Sequence, residues 1–289
     1  MEKSWITGQT QLTGLLGSPV AHSLSPLMHN TAYRLLGLDY VYLCFDVSEN
    51  KLADAVRGLK ACGIRGFNLT MPNKNRMMEL LDECTPAARL VGAVNTVLQE
   101  DGRLIGYNTD GVGFLRSLRE NGTDITGKKL VLLGAGGAAS AIAAQAALDG
   151  AGSLYLFLRK ESRFYERTKQ LADALNRETA CDVCLCDMEN SLNLRTLLRT
   201  ADVLINATPV GMEPETDRCL IPDQEWLPAG LTVADIIYHP RKTKLLAMAE
   251  RAGCRICPGL GMLLYQGAEA FRIWTGEEMP VDQIRQYFA

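Results

Sequence analysis

No run in this chain is apolar for the eighteen or more residues that a bilayer span needs. The nearest candidate, "AASAIAAQAAL" at 138–148, is short, rich in alanine and broken by Gln145. An excess of one charge is missing too. Lys and Arg total 30 against 33 Asp and Glu, a net charge of −3, so nothing electrostatic points to nucleic acid or an anionic membrane as partner. Metal-binding patterns are absent as well. The nine cysteines are scattered singly except in "CDVCLCD" at 181–187, and no second Cys or His pair lies near Cys181, Cys184 and Cys186. That stretch reads as a strand of alternating small apolar residues, and no metal is expected. The opening "MEKSWITGQTQ" lacks the apolar centre of a signal peptide. An odd cysteine count without a secretion signal predicts reduced thiols and a cytoplasmic location. No repeat or low-complexity segment is visible.

What is present is a globular composition, 47% apolar and 22% charged over 289 residues, enough for one large domain or two ordinary ones. Strand and helix patterns alternate. "LTGLLG" (12–17) reads as a strand. "SPLMHNTAYRLLG" (25–37) follows as a helix, with Ser25 at its cap, Pro26 at its first position and Gly37 ending it. A strand at 40–47, a helix at 48–63 capped by Ser48, and a strand "IRGFNLT" (64–70) come next, then a hairpin turning at Asp101-Gly102. A second alternation starts near Asp110, with strands "KKLVLLG", "SLYLFL" and "ADVLIN" and helices between them. The reading is an α/β protein of two domains, mostly parallel, the second doubly wound in the Rossmann manner. The first domain takes in 1–109 and is completed by C-terminal helices at 259–289. The second spans 110–258.

"VLLGAGGAA" follows the strand that opens the second domain, and Gly134, Gly136 and Ala139 fit G-x-G-x-x-[GA]. Such a loop turns tightly, lets backbone approach a pyrophosphate, and presents a helix N-terminus to it. The next strand ends near where an adenosine ribose would lie and runs into "RKESR" (159–163). Glu161 is placed to accept from both ribose hydroxyls, the mark of NAD. Arg159, Lys160 and Arg163 would instead clasp a 2′-phosphate, the mark of NADP, and the stretch offers both.

In "HSLSP", Ser23 and Ser25 stand two apart just before a helix, where both hydroxyls can face a small anion such as a carboxylate. The plainer reading is that Ser25 is only a cap. In "NLTMPNKN" (68–75), Pro72 ends a strand and Lys74 follows at once. Asn95 in "AVNT" and Asp110 in "YNTDG" are its candidate company. A lysine beside an aspartate at the strand ends can move a proton to or from a hydroxyl while a cofactor moves the hydride. Singly, Lys74 reads equally as a solvated charge and Asp110 as a helix cap.

Taken together these residues resemble the shikimate dehydrogenase family, and more closely its quinate/shikimate branch. The resemblance runs nearly end to end, through "HSLSP" (22–26), "NLTMPNK" (68–74), "GAVNTV" (92–97), "GYNTDG" (106–111), "GAGGA" (134–138), "NATPVGM" (206–212) and "GMLLYQGAEAF" (261–271). It implies a dehydrogenase that interconverts shikimate and 3-dehydroshikimate, and extends to quinate and 3-dehydroquinate, in aromatic amino acid biosynthesis or quinate use. It makes Lys74 the catalytic acid/base and Asp110 its partner. It puts Ser23 and Ser25 on the substrate carboxylate, and Asn68, Thr70, Asn95, Asp110 and Gln266 around the ring hydroxyls with Tyr238 nearby. Gly134, Ala135, Gly136, Gly137 and Ala138 would hold the pyrophosphate, with Asn206, Thr208, Pro209 and Gly259 along the cofactor and Arg159 and Glu161 at the ribose. The first domain then holds the substrate and the second the dinucleotide. A homodimer is left open.

Two departures stand out. Family members specific for NADP carry Asn-Arg-Thr followed two residues later by Arg, where this chain has Leu158, Arg159, Lys160, Glu161, Ser162 and Arg163. Glu161 would repel a 2′-phosphate, whereas long basic side chains can swing into water. NAD is therefore expected to be preferred and NADP accepted. Asn73 also stands where many relatives carry His or Tyr. Two rivals remain: a non-catalytic dinucleotide sensor that kept the fold, and a two-domain dehydrogenase acting on a folate or an amino acid. Retention of Lys74 and Asp110 argues against the first. The Ser23/Ser25 pair with Thr70, Asn95 and Gln266 argues against the second.

Overall fold

The computed structural model describes residues 6–288, so the first five residues of the N-terminal stretch read above, and the last residue of the chain, lie outside the described residues. The chain divides into two compact units, one running up to Thr109 and resuming at Leu264, the other Asp110–Leu263. The return to the first unit therefore comes five residues later than the 259 expected, inside a helix. Gly261 is packed on Ser117, where an added Cβ would meet the serine Cβ at 3.0 Å. Gly267, almost two turns on, is packed on Met28, where a Cβ would meet the Met28 sulfur at 2.9 Å.

In the first unit β1 (Gln11–Gly17), α1 (Ser25–Leu36), β2 (Tyr40–Asp46), α2 (Leu52–Ala61), β3 (Gly66–Leu69), α3 (Asn73–Arg76), β4 (Glu83–Cys84), α4 (Pro86–Val91), β5 (Thr96–Glu100) and β6 (Arg103–Tyr107) follow in order. They build one sheet, ordered β2-β1-β3-β5-β6-β4. β1, β2 and β3 are parallel, but β5 runs antiparallel to both β3 and β6. The sheet is thus mixed because a hairpin replaces a crossover. Asp101 (φ 48) and Gly102 (φ 76) both take the positive φ that a two-residue primed turn needs, and Glu100 pairs with Arg103 across it. Leu16, Phe67, Leu69, Val94 and Val97 form the centre of the core.

α1 ends as expected, with Gly37 left-handed (φ 67) and donating to the Arg34 carbonyl. Its start differs. Leu24 occupies the cap position, Ser25 is already helical, and the Ser25 N–H donates to the Ser23 hydroxyl oxygen at 3.2 Å. Ser48 sits extended before a short 3-10 turn that leads into α2, and its hydroxyl meets Asn50 rather than a backbone N–H.

The second unit comprises α5 (Thr109–Glu120, but for Thr109), β7 (Lys129–Leu133), α6 (Gly137–Leu148), β8 (Ser153–Leu158), α7 (Tyr165–Glu178), β9 (Asp182–Asp187), α8 (Ser191–Leu198), β10 (Val203–Asn206), β11 (Thr232–Asp235), α9 (Lys244–Arg251), β12 (Arg255–Cys257) and the start of α10 (Leu260–Thr275). α10 continues into the first unit, where α11 (Val281–Arg285) follows. The sheet is wholly parallel, in the order β12-β11-β10-β7-β8-β9. The chain enters at the centre, builds out to β9, then crosses back to β10. That is the doubly wound dinucleotide order, with its switch point between β7 and β10. The central strands β7, β10 and β11 are buried almost throughout, as a sheet covered on both faces requires, while the edge strands β9 and β12 are part-exposed.

Candidate active site

In the first unit Asn68, Thr70 and Asn95 lie together at the end of β3. Asn68 is buried, and its amide nitrogen donates to the Asn95 carbonyl (3.1 Å) and to the Thr96 hydroxyl (3.0 Å). Its Oδ1 accepts from the phenol of Tyr42 at 2.8 Å. The Ser25 side chain lies beside that same phenol. Asn95, also buried, donates from Nδ2 to the Thr109 hydroxyl at 3.0 Å, and its Oδ1 accepts the Thr109 N–H at 2.8 Å. Tyr42, Asn68, Asn95 and Thr96 are therefore members of one hydrogen-bonded cluster, with Ser25 beside the Tyr42 phenol. Both donors of the Asn68 amide are used, so towards a ligand it can only accept. Ser23 is drawn into the turn ahead of α1, its hydroxyl oxygen accepting the Ser25 N–H, and lies near Cys44.

Lys74 is not in a loop. It lies in α3, one turn of helix entered directly after Pro72, and its carbonyl accepts the Val94 N–H at 3.0 Å, next to Asn95 in the chain. Asn73 explains the position. It is fully buried, and its amide donates to the Val47 carbonyl at 2.8 Å, pinning the turn that presents Lys74. Thr70 is half-buried at the end of β3, with its N–H on the Leu16 carbonyl. Gln266 is half-buried on α10, one residue before the glycine that packs on Met28.

Tyr42, bonded to Asn68, and its neighbour His29 carry no sequence signal of their own. Tyr42 points inward from an unremarkable strand. His29 is wholly buried, stacked on the Tyr42 ring at 4.4 Å and 5°, with Trp274 at 5.3 Å. Neither ring nitrogen has a hydrogen-bond partner, and burial pushes its pKa down to about 3. The ring is neutral. Burial likewise raises the Tyr42 phenol well above its usual range, so it stays a donor to Asn68.

In the second unit Asp110 is the second residue of α5 and is buried. A carboxylate in a first helical turn is stabilised by the positive end of the helix. Tyr238 lies beyond β11, 40% exposed, edge-on to His239. Gly134 (φ 118) turns so tightly that a Cβ would meet the Ala207 carbonyl oxygen at 2.6 Å. Gly136 and Gly137 face open space, with nothing within 4 Å of an added Cβ. The result is a cradle of bare backbone, edged by Ala135 and Ala138, at the N-terminus of a twelve-residue helix on the switch point. A pyrophosphate fits such a cradle, because N–H groups and helix dipole both favour an anion there.

Asn206 is engaged entirely by its own loop. Its Nδ2 donates to the Val210 carbonyl and to Asp235 Oδ1, and its Oδ1 accepts from the Thr208 N–H and hydroxyl. It shapes the turn carrying Thr208 and Pro209, with buried Asp235 as anchor. Desolvation raises the Asp235 pKa, against hydrogen bonds from Ile237, Thr243 and Asn206 that lower it. Gly259 lets the chain pass against the Ile236 and Ile237 carbonyls, where any Cβ would collide. Arg159 and Glu161 are exposed just past the end of β8, as the sequence placed them. Among the described residues no group of three His, Cys, Asp or Glu side chains could hold a metal ion, and no helix is long and apolar enough to cross a membrane.

Comparison with known proteins bears on the same residues. The description "Shikimate dehydrogenase substrate binding domain" matches residues 15–97, and "Shikimate 5'-dehydrogenase C-terminal domain" matches 259–286. The shikimate dehydrogenase (NADP(+)) of Listeria innocua is 50% identical over 97% of this chain and 96% of its own. The crystal structure of shikimate 5-dehydrogenase from Listeria monocytogenes, in complex with shikimate and NAD, superposes with a TM-score of 0.97 at 48% identity, covering 99% of each chain. Quinate dehydrogenase from Corynebacterium glutamicum, in complex with NAD, gives 0.86 at 31% identity over 96% of this chain and 98% of that one. With half its residues shared with such an enzyme over nearly its whole length, the chain belongs to the shikimate dehydrogenase family.

Proposed function

We propose that this chain interconverts shikimate and 3-dehydroshikimate with a nicotinamide dinucleotide, the first unit holding the acid and the second the dinucleotide. The observation that carries the reading is the full-length likeness to a structure that holds shikimate and NAD. In oxidation the C3 hydroxyl of the acid loses its proton to the Lys74 amine and becomes a ketone. The bound dinucleotide supplies the hydride chemistry. Asp110 accepts a hydrogen bond from the reacting hydroxyl and orients it. Ser23 and Ser25 bind the carboxylate. Asn68 offers its remaining acceptor to a ring hydroxyl, alongside Thr70, Asn95, Gln266 and Tyr238. Gly134 to Ala138 seat the pyrophosphate. Asn206 acts through Thr208 and Pro209, and Gly259 through the 236–237 backbone.

Quinate is proposed as a second substrate, on the likeness to a quinate dehydrogenase. NAD is proposed as the preferred cofactor with NADP accepted, because Glu161 is a carboxylate at the expected ribose position. We place the enzyme in the cytoplasm, in keeping with nine unpaired cysteines. The test is Lys74→Ala. The expected result is a fall in kcat of roughly a hundredfold or more, the scale of lost acid/base catalysis, with dinucleotide affinity unchanged. A variant with near-normal kcat removes Lys74 from the chemistry. A wild type that binds NAD yet oxidises neither acid would be a sensor, not an enzyme.

A further inference from the structure

We propose that Asp187, far from "RKESR" in sequence, is a specificity-determining residue of the dinucleotide site, holding Lys160 in an ion pair and so withholding it from a 2′-phosphate. The inference rests on the reading that "RKESR" meets the adenosine ribose. β8 and β9 are parallel neighbours, and their last residues, Leu158 and Asp187, are paired in register. The side chain that ends β9 therefore stands beside the start of the ribose loop. Asp187 Oδ2 lies 3.1 Å from the Lys160 ammonium. Its Oδ1 accepts the Glu189 N–H at 3.0 Å, and the Met188 N–H donates to the Leu158 carbonyl at 3.0 Å. The carboxylate is fixed to backbone on one side, so the lysine comes to it.

Of the three bases that the sequence offers to a phosphate, Arg163 is also engaged, its guanidinium 4.7 Å from the centre of the Phe164 ring. Arg159 remains. Read from the loop alone, three bases face one acid; with Asp187 they face two, and one base is already paired. The Glu189 N–H first, then Lys160, hold the Asp187 carboxyl below its usual range, so it is charged at neutral pH. Lys160 is two-thirds exposed in this pair, and exposed pairs contribute little to folding. What the pair changes is the local field and the reach of one lysine.

The experiment measures dissociation constants of NAD and NADP by calorimetry, without substrate, for the wild type, Asp187→Asn, Glu161→Ala, and Lys160→Ala in both the wild-type and Asp187→Asn backgrounds. Asparagine keeps the acceptor for the Glu189 N–H, and thermal melting checks that each variant folds. Asp187→Asn is expected to tighten NADP about fivefold, the scale of one partly screened rim charge, and to leave NAD within about twofold. Lys160→Ala should weaken NADP more in the Asp187→Asn background than in the wild type, because only there is the lysine released. If Glu161→Ala shifts the NADP-to-NAD ratio and Asp187→Asn does not, the inference falls while the ribose reading stands. Equal effects of Lys160→Ala in both backgrounds would also overturn it. If neither acid moves the ratio, the loop is not the ribose site, and the inference goes with that reading.

Discussion

The hydrogen-bonded cluster around Asn68 and the charged rim around Glu161 were both read from sequence as groups that grip hydroxyls, yet they are built on opposite principles. In the cluster, Asn68, Asn95 and Tyr42 are buried, and both amide hydrogens of Asn68 are committed. On the rim, Arg159, Lys160, Glu161 and Arg163 are exposed. A buried donor left unmade is costly, so the cluster can exist in essentially one arrangement. Exposed charges rearrange cheaply and are screened by salt, so the rim sets a preference rather than a geometry. On the proposed function, substrate recognition would be set by folding itself and cofactor choice by local charge.

Asn68→Ala should test this contrast most severely. It strands the Tyr42 phenol, while the Asn95 carbonyl keeps the Leu69 N–H and the Thr96 hydroxyl keeps Asn95 Oδ1 and Thr109. A loss of about 1 to 3 kcal/mol is expected in denaturant unfolding, the scale of one orphaned buried group. A loss under about 1 kcal/mol would show that the cluster relaxes, and the contrast with the rim would break.

Acid should open the same region next. His29 is neutral in the fold, with a pKa of about 3 against the ordinary 6.5. Below pH 6.5 the unfolded chain takes up a proton that the folded chain refuses. Stability should then fall by up to about 1.4 kcal/mol per pH unit between about 6.5 and 3, where the folded ring itself begins to protonate. Tyr33 and Tyr42, the neighbouring phenols, have raised pKa values and stay protonated throughout. His29→Phe should flatten this limb in unfolding curves run against pH. An unchanged slope would mean that other groups control acid unfolding.

Ser25→Ala should have the smallest effect on the fold and sharpen the comparison from the other side. Because Leu24 rather than Ser25 holds the cap position, no cap is lost. Stability should change by less than about 1 kcal/mol, while KM for the acid rises by roughly tenfold or more, the scale of a lost bond to a charged group. An unchanged KM would take Ser25 off the carboxylate.

Local chemistry was legible wherever a residue acts on its own backbone. Gly37 ends α1, Asp101-Gly102 makes the hairpin, and Gly134 makes the tight turn, because a positive φ is a property of one or two residues. The parallel second sheet could be read from the repeat of short apolar strands and helices. The mixed first sheet was less clear, since pairing β5 against β3 depends on where the hairpin docks. Lys74 stands out in the sequence as a candidate, but nothing there shows that Asn73 buries its amide on Val47 to hold the turn. Tyr42 and His29 carry no motif. They matter only because β2 and α1 bring one ring flat against the other. The boundary at Leu264 rather than 259 follows from which helix face meets Met28 and which meets Ser117.

By itself, then, the sequence determined the two alternating α/β segments, the glycine cradle and the residue types gathered at the strand ends, all of which follow from short-range sterics and periodicity. Only the tertiary structure decided which polar groups spend their hydrogen bonds on each other and which lysine is already paired. Asp187 meets Lys160 because two strands distant in sequence end side by side in register. Neither stretch alone encodes that encounter, since it depends on the distance between side chains that only folding brings together.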